Sequence, residues 1–154
     1  MAARTAVISL SGATLSLSAS LPATYDAAGY GATTITWTAI GEISNYGNHG
    51  VTANVATHTP VDTAVVTKIK GSKNYGAMAL VIGSIPTDTG QALLNTASES
   101  NNHYSAKFTY PDGAIHYMDV LVTSFEFNDG SVDDICQINV SLEICKKPVQ
   151  VAAA

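Results

Sequence analysis

Charge is what this chain has least of. Only 12% of its 154 residues are Asp, Glu, Lys or Arg, about half the roughly 25% usual in soluble domains. The shortage is greatest on the basic side, with 7 Lys and Arg against 12 Asp and Glu and a formal net charge of −5. Phosphate binding rests on clustered Lys and Arg, so a surface that grips nucleic acid is disfavoured. Cysteine is nearly missing: Cys136 and Cys145 make neither a disulfide framework nor a four-ligand zinc pattern. On one extended strand they stand about 30 Å apart, beyond bridging distance. Reduced thiols packed as small hydrophobes are expected, in keeping with assembly in a cytoplasm. Long apolar runs are also lacking. The longest, Ala77 to Ile82, is strand-sized and far short of the roughly 18 residues of a membrane span. A secretory signal is not expected, because Leu15, Leu17, Ala19 and Leu21 alternate with Ser16, Ser18 and Ser20, the period of a strand.

Catalytic and metal patterns are missing as well. His49, His58, His103 and His116 show no ligand spacing. The run Asn128-Asp129-Gly130-Ser131-Val132-Asp133-Asp134 lacks the ladder and distal Glu of a calcium loop and reads as a turn with solvated carboxylates. There is no nucleophile elbow and no phosphate-cradling glycine loop. Asn139-Val140-Ser141 matches a glycosylation acceptor but falls within a strand. The chain is read as non-enzymatic and without a cofactor.

What is present is a hydrophobic fraction of 46%, enough to fold one domain with a core. Residues 1–34 hold only Arg4 and Asp26 as charges and few large side chains; they are expected to lean on another surface as an arm. Residues 36–43, with the single tryptophan Trp37, read as a strand. No charge occurs from Ile43 through Val61, which predicts a long neutral loop. Residues 65–70 and 75–82 read as two strands joined across Gly71-Ser72-Lys73-Asn74. Asp88 with Gln91 has the spacing of a capping box, and Ala92, Leu93, Leu94 and Ala97 follow at helical period, predicting one helix over 89–98. Pro111-Asp112-Gly113 and Asn128-Asp129-Gly130 are turn signals separating three strands. The last alternates Cys136, Ile138, Val140, Leu142 and Ile144 against Gln137, Asn139, Ser141 and Glu143, one face core and one wet. The pattern predicts an all-β fold with one helix: a two-sheet β-sandwich or open barrel with a flanking α-helix.

The few charges are unevenly placed. From Phe108 to Cys145 there is no Lys or Arg, while Asp112, Asp119, Glu126, Asp129, Asp133, Asp134 and Glu143 all fall there. A sheet of these hairpins presents an acidic face, which repels rather than binds a polyanion. The nearly neutral first third implies surface destined for other chains.

Five segments in order carry a family resemblance: Pro22 to Tyr30 (PATYDAAGY), Ile40 to Asn45 (IGEISN), Val55 to Pro60 (VATHTP), Val66 to Gly76 (VTKIKGSKNYG) and Asp88 to Leu94 (DTGQALL). Together they resemble the tail tube, or major tail, proteins of long non-contractile tailed bacteriophages, across essentially the whole chain. The resemblance implies six copies per ring, rings stacked into a hollow tube, and neighbouring sheets joined into an inner barrel with a negative lumen. It implies a virion tail protein assembled in the host cytoplasm. The implied partners are itself, a tape-measure protein in the lumen, tail terminator and baseplate-side tail proteins, and DNA only in transit.

Carried over, the implied divisions are an arm at 1–34, a single tail-tube β domain at 35–147 and a short tail at 148–154. The lumen candidates are Gln137, Asn139, Ser141 and Glu143, with Asp119 and Glu126 on a less regular strand. The ring-stacking loop, about residues 45–60, would use Asn45, Tyr46, Asn48, His49, Val51, Val55 and His58. Its neutral interior argues for hydrogen bonds and packing rather than salt bridges. The arm would touch a neighbour through Leu15, Leu17, Leu21, Tyr25 and Tyr30. A monomeric immunoglobulin-like or lectin-like binding module, with Tyr46 to His49 as its contact site, is the alternative.

Overall fold

A computed structural model describes residues 4–153; residues 1–3 of the expected arm and residue 154 of the expected tail lie outside it. The elements run β1 Thr14–Ser18, α1 Ala27–Tyr30, β2 Thr38–Ala39, β3 Ile43–Asn45, β4 Thr52–His58, β5 Thr67–Asn74, β6 Ala77–Gly83, α2 Thr89–Glu99, β7 Tyr104–Thr109, β8 Ile115–Asn128, β9 Gln137–Ile144 and β10 Val149–Val151. One large antiparallel sheet has the order β2-β1-β7-β8-β9-β6-β3, with β10 also paired to β8. It curls into a half-barrel, and β4-β5 form a separate two-stranded ribbon.

The core is the apolar face of the curled sheet. Leu15 and Leu17 from β1, Met78, Leu80 and Ile82 from β6, Met118 and Val120 from β8 and Ile138, Val140 and Leu142 from β9 are buried together. Their spacing of two puts each set on one side of its strand. Leu94 and Ala97 of α2 close the cluster. Helix α2 starts where expected: the Asp88 carboxylate accepts from Gln91 N at 3.0 Å. The reciprocal half of the capping box is replaced. Gln91 turns inward, donates to Gly41 O and Gly83 O, and accepts from Ile85 N, fastening the helix to the ends of β2 and β6. Gly90 lies so close to Ala39 O that no side chain fits there.

Several expectations are corrected. The segment at 1–34 is not simply an arm. β1 pairs with β7 from Thr14↔Thr109 to Ser18↔Ser105, and Leu15, Leu17 and Tyr30 are buried in their own chain. The small residues that suggested a lack of core let the segment lie flat: Tyr30 stacks on Tyr117 at 5.0 Å and Trp37 meets the same ring at 5.8 Å. Trp37 is not in a strand; only Thr38–Ala39 and Ile43–Asn45 pair, with Glu42 between them at φ 62°. The helix α1 comes in addition to the one expected, capped by Asp26 accepting from Gly29 N at 2.7 Å. The strands at 65–70 and 75–82 do not pair with each other: β5 pairs with β4, while β6 pairs with β9 and β3. Within the expected loop at 45–60, Thr52–His58 form strand β4. Within the expected tail, β10 pairs with β8 from Val149↔Tyr117 to Val151↔Ile115. Cys136 and Cys145 are exposed at the two ends of β9 rather than packed inside.

Candidate functional site

Two surfaces stand out, a polar sheet face and the ribbon. On the face, Glu143 lies between Ala77 and Leu121, Ser141 between Ala79 and Ser124, Asn139 between Val81 and Glu126, and Gln137 between Gly83 and Asn128. Cross-strand partners share a face, so Gln137, Asn139, Ser141, Glu143 and Glu126 form one surface. Asn139, Glu143 and Glu126 are exposed, and Gln137 and Ser141 half-buried. The sequence pattern hides how Glu126 joins them. Between Val122 and Ser124 the β8–β9 register shifts, and a one-residue bulge reverses which residues face the core. Its acids, Glu126 and Glu143, have no basic residue in these rows.

Asp119 does not belong to that open surface. It is 2% exposed, opposite Ser105 on β7, with His103 Nδ1 at 3.1 Å from its carboxylate. The β1–β7–β8 region around it is where the Tyr30, Trp37 and Tyr117 rings pack. Among the arm residues, Leu21 and Tyr25 stay exposed, with Lys146 Nζ 4.5 Å from the Tyr25 ring centre.

The ribbon departs from the sequence expectation most. Asn45 is the last residue of β3, its side chain accepting from Gly47 N at 2.8 Å. Gly47, at φ 66°, passes so near Ala79 O (2.6 Å to an added Cβ) that glycine is required. Tyr46 donates its hydroxyl to Ala13 O at 2.9 Å. His49 Nε2 and His116 Nδ1 stand 2.9 Å apart, so one ring donates, the other accepts, and at least one is neutral. Burial holds both below the usual 6.5, and the charges of His49 and Arg4 lower His116 further. Tyr46 and His49 thus tie the segment to the body, whereas Val51, Val55 and His58 are exposed and Asn48 follows the glycine turn.

Beyond them every residue of β5 is exposed, and the two strands pack chiefly on each other. Val55↔Lys70 and Thr57↔Lys68 are paired, and after a register shift so are Ala53↔Lys73. The extra residue at Gly71-Ser72 turns Lys73 onto the same face as Lys68 and Lys70. Asn54 Nδ2 donates to Ser72 Oγ at 3.0 Å on the opposite face. Three of the chain's seven basic residues thus share one side of a ribbon whose first strand is neutral. Sequence reading missed them because Lys68, Lys70 and Lys73 are not spaced by two throughout.

The region β8–β9–β6–β3 also ends in two open edges. β3 pairs only with β6, and β7 reaches no further along β8 than Val120, leaving residues 121–128 unpaired on that side among the described residues.

The sequence matches no family model and no curated protein. The fold does have solved counterparts. A chain of the anti-feeding prophage baseplate, 6-fold symmetrised, superposes with TM-score 0.68 at 9% identity, covering 97% of both chains. A chain of the virion of a native gene transfer agent particle gives 0.61 at 12% identity, over 75% of this chain and 89% of that one. The SPP1 tail tube gives 0.59 at 12% identity, over 90% of this chain and 77% of that one. At these identities the likeness establishes the fold, which is one found in tail tubes and related injection particles.

Proposed function

We propose that the protein is a structural tail subunit that polymerises as stacked hexameric rings into a tail tube, a conduit for DNA, resident in the virion after assembly in the host cytoplasm. The observation that carries this reading is the β8–β9–β6–β3 segment, with a core face, a polar acidic face and unpaired edges on both sides. Unpaired edges recruit further strands. Six four-stranded segments joined edge to edge would close a barrel of about 24 strands, and barrels of 16–18 already leave an aqueous channel. The face carrying Asn139, Glu143 and Glu126 would then line a lumen that repels DNA, with Gln137 and Ser141 beside it. A tape-measure protein before ejection and terminator and baseplate proteins at the ends complete the assembly. No enzymatic step is assigned. The alternative of a monomeric binding module is weakened because Tyr46 and His49, which it needs free, are bonded to the body of the fold.

The test is concentration-dependent assembly. Light scattering and negative-stain electron microscopy of the purified chain are expected to show rings or tubes. A protein still monomeric at high concentration would sink the reading.

A further inference from the structure

The β4–β5 ribbon is an unfinished structure. An isolated two-stranded hairpin is marginal in water, yet this one exposes Val55, Val65, Val66 and Ile69 together with all of β5. Its lysine face, Lys68, Lys70 and Lys73, has no acidic partner among the described residues. What covers it must be acidic and partly apolar.

The same chain carries such a surface at its other end. The connection from β8 to β9 holds Asp129, Asp133 and Asp134 and exposes Val132 and Ile135, with the exposed Phe127 just before it. Asp134 is used internally, accepting from Ser131 N and Ser131 Oγ at 2.8 Å; Asp129 and Asp133 face solvent. β9 begins at this turn and ends at the root of the ribbon, where Ile144 N donates to Gly76 O at 3.0 Å. Seven strand steps set the two ends about 23 Å apart. The molecule is therefore basic at one end of β9 and acidic at the other. A copy cannot satisfy its own ribbon across that length, but the next copy along the strand direction can. Such a contact joins unlike surfaces, so it repeats from copy to copy and runs on as a stack wherever the rotation at each step does not close a ring.

We infer that the lysine face of the β4–β5 ribbon docks on the acidic Asp129–Asp133 turn of a second copy, and that this head-to-tail contact is what stacks one layer of copies on the next. The inference rests on the tube reading and gives its stacking contact a partner surface. DNA is the other polyanion of suitable chemistry, but the overall charge of −5 and the acidic residues elsewhere oppose its approach.

Two charge-reversed chains test this: Lys68→Glu/Lys70→Glu/Lys73→Glu, and Asp129→Lys/Asp133→Lys. All five positions are exposed, so both chains are expected to keep wild-type circular dichroism. At about 0.15 M salt each alone should raise the critical concentration for assembly roughly tenfold or more, as several rim charge pairs become repulsive. Mixed one to one, the two should assemble again, because the acidic ribbon of each first chain meets the basic turn of the second and the reverse. A chain carrying both sets should also recover. If wild-type tubes form and neither variant changes them, or the mixture stays dead, the docking is wrong while the tube reading stands. If swaps rescue oligomers that are never tubular, the docking stands and the tube reading falls. A wild-type chain that never associates overturns both. Binding of labelled duplex DNA that depends on the three lysines, with assembly insensitive to the turn, would make DNA the ribbon's partner and overturn the inference.

Discussion

Gln91, 3% exposed, is a buried amide that ties helix α2 to two other segments, one through Gly41 O and one through Gly83 O and Ile85 N. Gln91→Leu would fill the space but strand those backbone groups. Leaving buried polar groups unpaired costs about 1–3 kcal/mol each, partly relieved by water. The variant is expected to lose about 2–4 kcal/mol of monomer stability, read as a lower urea midpoint with unchanged slope; an unchanged midpoint would show that the amide holds nothing. The spacing of Asp88 and Gln91 announced a helix start, and the Asp88 half is there. Where the Gln91 side chain goes was not legible, because its acceptors lie in segments that only the fold brings near. The same holds for His49 and His116, 67 residues apart. It holds for Asp119, polar by type yet placed where the N-terminal segment packs over the sheet.

At the scale of elements, β9 was readable because it is regular: eight residues with no bulge keep the core and wet sides apart. Strands interrupted by a register shift were harder. The one in β8 moves Glu126 onto the Asn139 row, and the one in the ribbon gathers three lysines. β1 changes the meaning of the N-terminal segment most. With Leu15 and Leu17 wholly buried, truncation of residues 1–20 should cost the fold itself, not only association. Leu17→Ala alone is expected to destabilise the monomer by about 2–5 kcal/mol, measured by chemical denaturation. A loss below about 1 kcal/mol would restore the view of this segment as a detachable arm, with Leu21 and Tyr25 as its exposed contacts.

For the whole molecule the distribution of charge matters more than its sum. If the Asn139 face lines a channel, its acids matter by keeping DNA from adhering. Tubes of a Glu126→Lys/Asn139→Lys/Glu143→Lys chain should form as before but retain duplex DNA on co-sedimentation at moderate salt, where wild-type tubes do not. Retention that is equal for both tubes would remove these residues from the lumen. The cationic tube should release its DNA as salt rises, since phosphate contacts are weakened by counterions.

The all-β class, the α2 start, the three closing strands and the acidic bias of residues 108–145 can be read from residue order alone. These follow from local rules: turn residues, capping geometry and side-chain period act within a few positions. That β4 and β5 pair as a ribbon apart from the main sheet, that β1 belongs to the core, and that the basic and acidic ends lie at opposite ends of β9 emerges only in the folded chain. Strand partners are chosen by burial and register across long separations. No period along the chain records which strand will lie beside which.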